Sequence, residues 1–232
     1  MSSIDPLLVL ADFHNYKPKT TFKLYYLTVF CFNRPMAKNF SQKTYQYFKL
    51  AEKNKNNKKW FEQNKNFYKE HVREPFEYLI NQLNKELKNS LPRIDINPRS
   101  ITRPQSPINR AQNGIVKSHS HVSLAEKRTS LFEWNPGIYI HFGNGKEDNI
   151  LGLGLYMVSG RQMSLLRNKL VEDFENIDAI LSDRKLKKIW GKELPGEKFK
   201  RFPKGYNPDD PRTKYLWNKQ FFLFQRYLGL VS

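Results

Sequence analysis

Apolar residues recur at intervals of three and four through the first half of the chain, and at intervals of two through its middle. In "SQKTYQYFKLAEKN", Tyr45, Phe48 and Leu50 fall on one side behind Ser41, whose hydroxyl suits a helix N-cap; a short amphipathic helix is expected there. Trp60, Phe61, Phe67, Tyr68, Val72, Phe76, Leu79, Ile80, Leu83 and Leu87 continue the spacing and predict a long helix with one buried face. Pro75 lacks the N–H that the helix ladder needs, so this helix kinks or restarts with Pro75 in its first turn.

Residues 91–114, "LPRIDINPRSITRPQSPINRAQNG", hold four prolines and no apolar period, and read as an extended crossing segment. Arg93, Arg99, Arg103 and Arg110 make it basic; it is either a functional loop or a solvated linker. The period then changes to two in "IVKSHSHVSL" (115–124), "GIYIHFG" (137–143) and "NILGLGLYMVS" (149–159), the last two joined as a hairpin through "GNGKEDN". Alternation puts Val116, Ser118, Ser120, Val122 and Leu124 on one face with Ile138, Ile140 and Phe142. The other face gathers Lys117, His119, His121, Tyr139 and His141, beside Gly152 and Gly154, whose missing side chains imply that something comes close.

Beyond residue 160 a stripe of Leu165, Leu166, Leu170, Phe174, Ile177, Ile180 and Leu181 predicts two or three short helices, with Glu172, Asp173, Glu175 and Asp178 on a solvated face. "KRFPKGYNPDDPRTKY" reads as a rigid turn series leading into a last helix, with Gly205 free to take a positive φ. The expected fold is therefore α+β: a small, mainly antiparallel sheet packed against a long kinked helix and several C-terminal helices. Residues 36–232 are expected to form one domain. Residues 1–35, with Pro6, Pro18 and Pro35, are either an extension ahead of a natural start at Met36 or a strand at 24–32 added to the sheet.

Composition narrows the function classes. The 232 residues sum to a net charge of +18, which favours anionic partners, phosphate-bearing ligands or nucleic acid, although the surplus is spread along the sequence rather than set in one stripe. Aromatics at 14% exclude a disordered protein. One cysteine, Cys31, excludes an intrachain disulfide framework and a cysteine-rich zinc module. The apolar run Leu24 to Phe32 is too short to span a bilayer and begins too late for a signal peptide, so a cytoplasmic protein with no membrane partner is expected.

Three chemistries fit the polar sheet face. His119, His121 and His141 have the residue types of an open zinc site, but no carboxylate lies in the strands to join them, and no metal or cofactor is assigned. His121 and Ser123 form one His-x-Ser unit, which makes a hydrolase of phosphorylated substrates the alternative reading. The leading reading is a binding module for anionic ligands or nucleic acid. It uses Lys117, His119, His121, Tyr139 and His141 with the flanking Arg103 and Arg110; Lys200, Arg201 and Lys204 are candidates to border the same ligand.

Taken together, "NNKKWFEQNKNFYKEHVREPFEYLI", "GIYIHFG", "ILGLGLYMVS" and "LPGEKFKRFPKGYNPDDPRTKYLWNKQFF" resemble the conserved family known as domain of unknown function 2461, over roughly residues 41 to 228. The segment from Lys200 to Pro211 carries the most specific part of the resemblance, which implies no established activity. The family's usual central motif, Arg-Asp-x-Arg-Phe-Ser-x-Asp-Lys-x-Pro-Tyr-Lys, is replaced by "SPINRAQNGIVK", which keeps Lys117 and lacks the Arg-Asp and Asp-Lys pairs. An activity centred on that motif is then lost, or moved to "RPQSPINR" and "KSHSH". The resemblance also implies a further helix after the region of Phe221 to Leu228, so that the sequence is expected to be short at its C-terminal end relative to the family.

Overall fold

The computed structural model describes residues 40–89, 95–107, 114–125, 137–145, 148–156, 158–191 and 193–226. Arg93, Arg110 and the segment expected at 24–32 lie outside the described residues. The molecule divides into two compact units, whose boundary runs through the third strand.

In the unit that holds residues 40–125 and 138–151, helix α1 (Gln42–Lys53) begins at Ser41. Ser41 Oγ accepts from the Lys43 N–H, and the Ser41 N–H donates to Thr44 Oγ1. The long helix arrives in pieces: α2 (Lys58–Gln63), α3 (Lys65–Tyr68), one π-helical turn (Lys69–Arg73) and α4 (Glu74–Leu87), with Pro75 in the first turn of α4. Proline is the cause of the last break, the π turn ahead of α4. Pro75 has no N–H to give to the carbonyl of His71, four residues back, and that carbonyl accepts instead from Thr44 Oγ1 at 2.7 Å.

Thr44 is fully buried, so Thr44→Val keeps the volume and orphans the His71 carbonyl. The expected loss is about 1–3 kcal/mol in urea unfolding, with most of it spared in Thr44→Ser, which keeps the hydroxyl. Unchanged stability in the valine variant would show that the bond contributes nothing.

Four strands, β1 (Ser120–Ala125), β2 (Gly137–Phe142), β3 (Ile150–Leu155) and β4 (Phe221–Arg226), form one antiparallel sheet in the order β1-β2-β3-β4. With the helices this is the α+β fold. β4 corrects the expectation of a last helix: Phe221–Arg226 is rich in aromatics, and hydrogen bonding along β3 overrides any helical reading of its sequence. The crossing segment joins β1 by a single bridge, Ile101 to Val122, and pairs Gln105 with Val116 ahead of β1, rather than adding a strand.

Alternation works as expected in β1 and β2. Ser120, Val122, Leu124, Ile138, Ile140 and Phe142 are buried, and α4 lies on that side, with Phe76 edge-on to Phe142 at 5.3 Å. Phe40 closes the triad, stacked on Phe142 at 4.2 Å and edge-on to Phe76 at 5.1 Å. On α4 the buried residues Phe76, Leu79, Ile80, Leu83 and Leu87 keep the helical spacing.

In the unit of residues 152–225, Ser159 and Gln162 cap α5 (Gly160–Glu172) reciprocally, and α6 (Phe174–Ser182) and α7 (Arg184–Trp190) follow. Met163, Leu166, Leu170, Tyr215, Leu216 and Phe221 make its core. Leu165 departs from the expected stripe and is 45% exposed, because the buried face of α5 runs through its neighbour Leu166. Asp178 is no idle surface acid: it accepts hydrogen bonds from Lys214 and from the Tyr215 hydroxyl, tying α6 to the turn series. Those two donors hold its carboxyl below the usual range. Gly205 takes a φ of 87°, as its place in the turn series requires. No helix among the described residues is long and apolar enough to cross a membrane.

Candidate anion-binding site

The polar face of β1 and β2 brings its expected residues together. His119 stands just ahead of β1, His121 within it, and Tyr139 and His141 on β2, all half-buried. Ring centroids of His119 and His141 are 5.2 Å apart, of His119 and His121 5.9 Å, of His121 and His141 6.2 Å, and of His121 and Tyr139 5.4 Å. The three imidazoles lie within 29° of parallel. Nitrogen lone pairs lie in the ring plane, so nearly parallel rings do not converge on one ion; among the described residues no group of three or more His, Cys, Asp or Glu is placed to hold a metal.

Backbone contacts fix the cluster from both sides. The Thr102 N–H and Oγ1 both donate to the His121 carbonyl at 2.8 Å, which clamps the crossing segment along β1. His141 Nδ1–H donates to the Asp148 carbonyl at 2.6 Å, which fixes its tautomer and leaves Nε2 without the proton in the neutral ring. Asp148 reaches this place because residue 143 is glycine: a Cβ there would stand 2.6 Å from Asp148 Cβ. Glu52, at the end of α1, accepts from Ser118 Oγ at 2.7 Å and from Lys55 Nζ at 3.1 Å.

Glu52 and Asp148 were invisible to sequence reasoning. One lies 66 positions from its partner, and the other acts through a carbonyl that every residue type possesses.

Electrostatically the site is crowded with potential cations. Burial, reinforced by His119, His141 and Lys117, pushes the His121 imidazole down to about 4. Burial also lowers His119, with His141 and Lys117 adding to it and Asp148 and Glu52 opposing. Lys117 is lowered by burial alone. His121 Nδ1 is buried and meets no hydrogen-bond partner. Near neutral pH both His119 and His121 therefore stay uncharged, which burial enforces and their crowding reinforces.

Of the remaining expected residues, Arg103 is exposed on the crossing segment and is not among the charges that His119 and His121 feel. Arg110 lies outside the described residues. Lys200, Arg201 and Lys204 are exposed and belong to the other unit. What approaches Gly154 is β4: a Cβ there would stand 2.4 Å from the Phe221 carbonyl oxygen.

Fold and site together define an α+β protein with a histidine cluster on the polar face of an antiparallel sheet. The chain belongs to the family described as "Conserved hypothetical protein (DUF2461)", whose model matches residues 43–228. No curated protein and no solved structure matches it.

Proposed function

We propose that the protein is a binding module for phosphate-bearing anions, which it holds on the Lys117, His119, His121, Tyr139 and His141 face. The observation that carries this reading is the gathering of three imidazoles, 5.2 to 6.2 Å apart between ring centroids, on one half-buried face where burial first, and their cationic neighbours second, hold His119 and His121 uncharged. A cluster that disfavours its own protonation is relieved by an incoming anion, whose charge raises each imidazole pKa and turns ring nitrogens into charge-assisted donors. The net charge of +18 draws such ligands in from a distance. Nucleic acid fits less well, because nearly parallel neighbouring rings spend their faces on one another and leave edges rather than platforms for bases.

The sign of the pH dependence follows. His119 and His121 are uncharged at pH 7 in the free site and gain protons when an anion is bound, so binding takes up protons and affinity rises as pH falls. Sulfate is the suitable probe because its charge is constant over this range. Between pH 7 and 5, calorimetry is expected to show sulfate affinity rising about tenfold per pH unit for each proton taken up. The rise disappears in His119→Asn/His121→Asn. Affinity independent of pH, or equal in the double variant, sinks the proposal; tighter, salt-dependent binding of arbitrary single-stranded RNA would place the function with nucleic acid instead.

A further inference from the structure

The other unit holds a cation that its fold leaves unanswered. Arg167, on α5, is half-buried, with its guanidinium carbon 4.8 Å from the centroid of Phe199. Its Nε is closed off from solvent and meets no hydrogen-bond partner. Among the described residues the ion pairs of this unit join Arg212 to Asp210, Lys214 to Asp178 and Lys219 to Glu197, and none includes Arg167. A guanidinium partly removed from water without a carboxylate is unfavourable, and attraction to one aromatic face offsets only part of that. Surface arginines have no need of such a position.

Further donors and cations follow in the segment that carries Phe199 and, on α5, beside Arg167. Its neighbour Asn168 accepts from the Tyr206 hydroxyl at 2.7 Å through Oδ1, which leaves its amide N–H groups to donate elsewhere. Phe199 and Tyr206, the residues that meet α5, bracket Lys200, Arg201 and Lys204, all exposed, and residues 198–206, "KFKRFPKGY", contain no acid. This is also the stretch that carries the family resemblance most specifically, yet the histidine site makes no use of it.

We infer that Arg167 and Asn168, with the segment Phe199 to Tyr206, form a second anion site, built for one oxyanion group of a small molecule. With Nε enclosed, the terminal guanidinium nitrogens take the oxyanion as a fork, and the Asn168 amide and the flanking cations complete its shell. A carboxylate and a phosphate share this chemistry, and the two are separated by experiment.

The test uses the full-length protein with His119→Asn/His121→Asn, so that the sheet site is silent. The Arg167 Nε–Hε signal is followed by NMR while inorganic phosphate and, separately, succinate are added. A saturable shift is expected with one of the two, and Arg167→Met, which keeps the stem against Phe199, is expected to weaken that binding by about tenfold or more. The anion that saturates names the source. Two results overturn the inference: no saturable shift with either anion, or equal binding by the methionine variant. Thermal unfolding guards against a purely structural role. If Arg167→Met lowers the melting temperature equally with and without anion, while neither protein is stabilised by it, Arg167 serves packing and the site does not exist.

Discussion

Gly154→Ala is expected to lower the stability of the protein by about 2–4 kcal/mol. Gly154 lies in β3 at a φ of 124°, a conformation that L-residues seldom adopt. The added Cβ would stand 2.4 Å from the Phe221 carbonyl oxygen and 2.8 Å from Phe222 Cα. Both are backbone atoms of the neighbouring strand, so neither can swing aside as a side chain would. Either β4 moves off β3 or β3 straightens, and each route breaks ladder hydrogen bonds along the last strand. Urea unfolding measures the loss, and faster amide exchange confined to Phe221–Arg226 would locate it. Gly160→Ala is the control: at the start of α5 a Cβ meets nothing within 4 Å, and stability there should hold or rise slightly. A Gly154→Ala variant as stable as that control would mean that the close approach of β4 places no demand on residue 154.

How much of this was legible in the sequence can be judged residue by residue. Alternation alone put His119, His121, Tyr139 and His141 on one face and Val122, Leu124, Ile140 and Phe142 on the other, because a period of two leaves no freedom once the strand is granted. Pro75 announced the restart of the long helix. The hydroxyl that receives the freed carbonyl, Thr44, could not be read, since it comes from a helix 27 positions earlier. Gly154 correctly signalled a close approach, but a glycine does not say by what, and the visitor is β4. β4 itself was missed because "FFLFQR" has neither alternation nor a breaker, and only the bonded edge of β3 decides its state. The candidate site followed the same rule. Its members on adjacent strands were foreseeable, whereas Glu52 and the Asp148 carbonyl depend on where distant turns return.

That site hangs on a strand anchored from beneath by Ile138, Ile140 and Phe142, and the largest loss is expected at the ring: Phe142→Ala should cost about 3–5 kcal/mol. Phe142 is 2% exposed and its ring meets both Phe40 and Phe76, so truncation removes a stacked and an edge-on contact as well as the buried area. Phe142→Leu refills most of the space and should lose under half as much, which gives a folded variant if the alanine one does not fold. The consequence for function arises from adjacency. His141 is the residue before Phe142, on the opposite face, and its distances to His119 and His121 are set by how firmly β2 is held against the core. In Phe142→Leu, studied where it is fully folded, sulfate affinity at pH 5 should fall several-fold while its direction of pH dependence stays the same, because the imidazoles remain but their spacing loosens. Unaltered affinity would show that the ring geometry on β2 is set by the Asp148 carbonyl and not by the core beneath it, and His141 would then be the residue to move next.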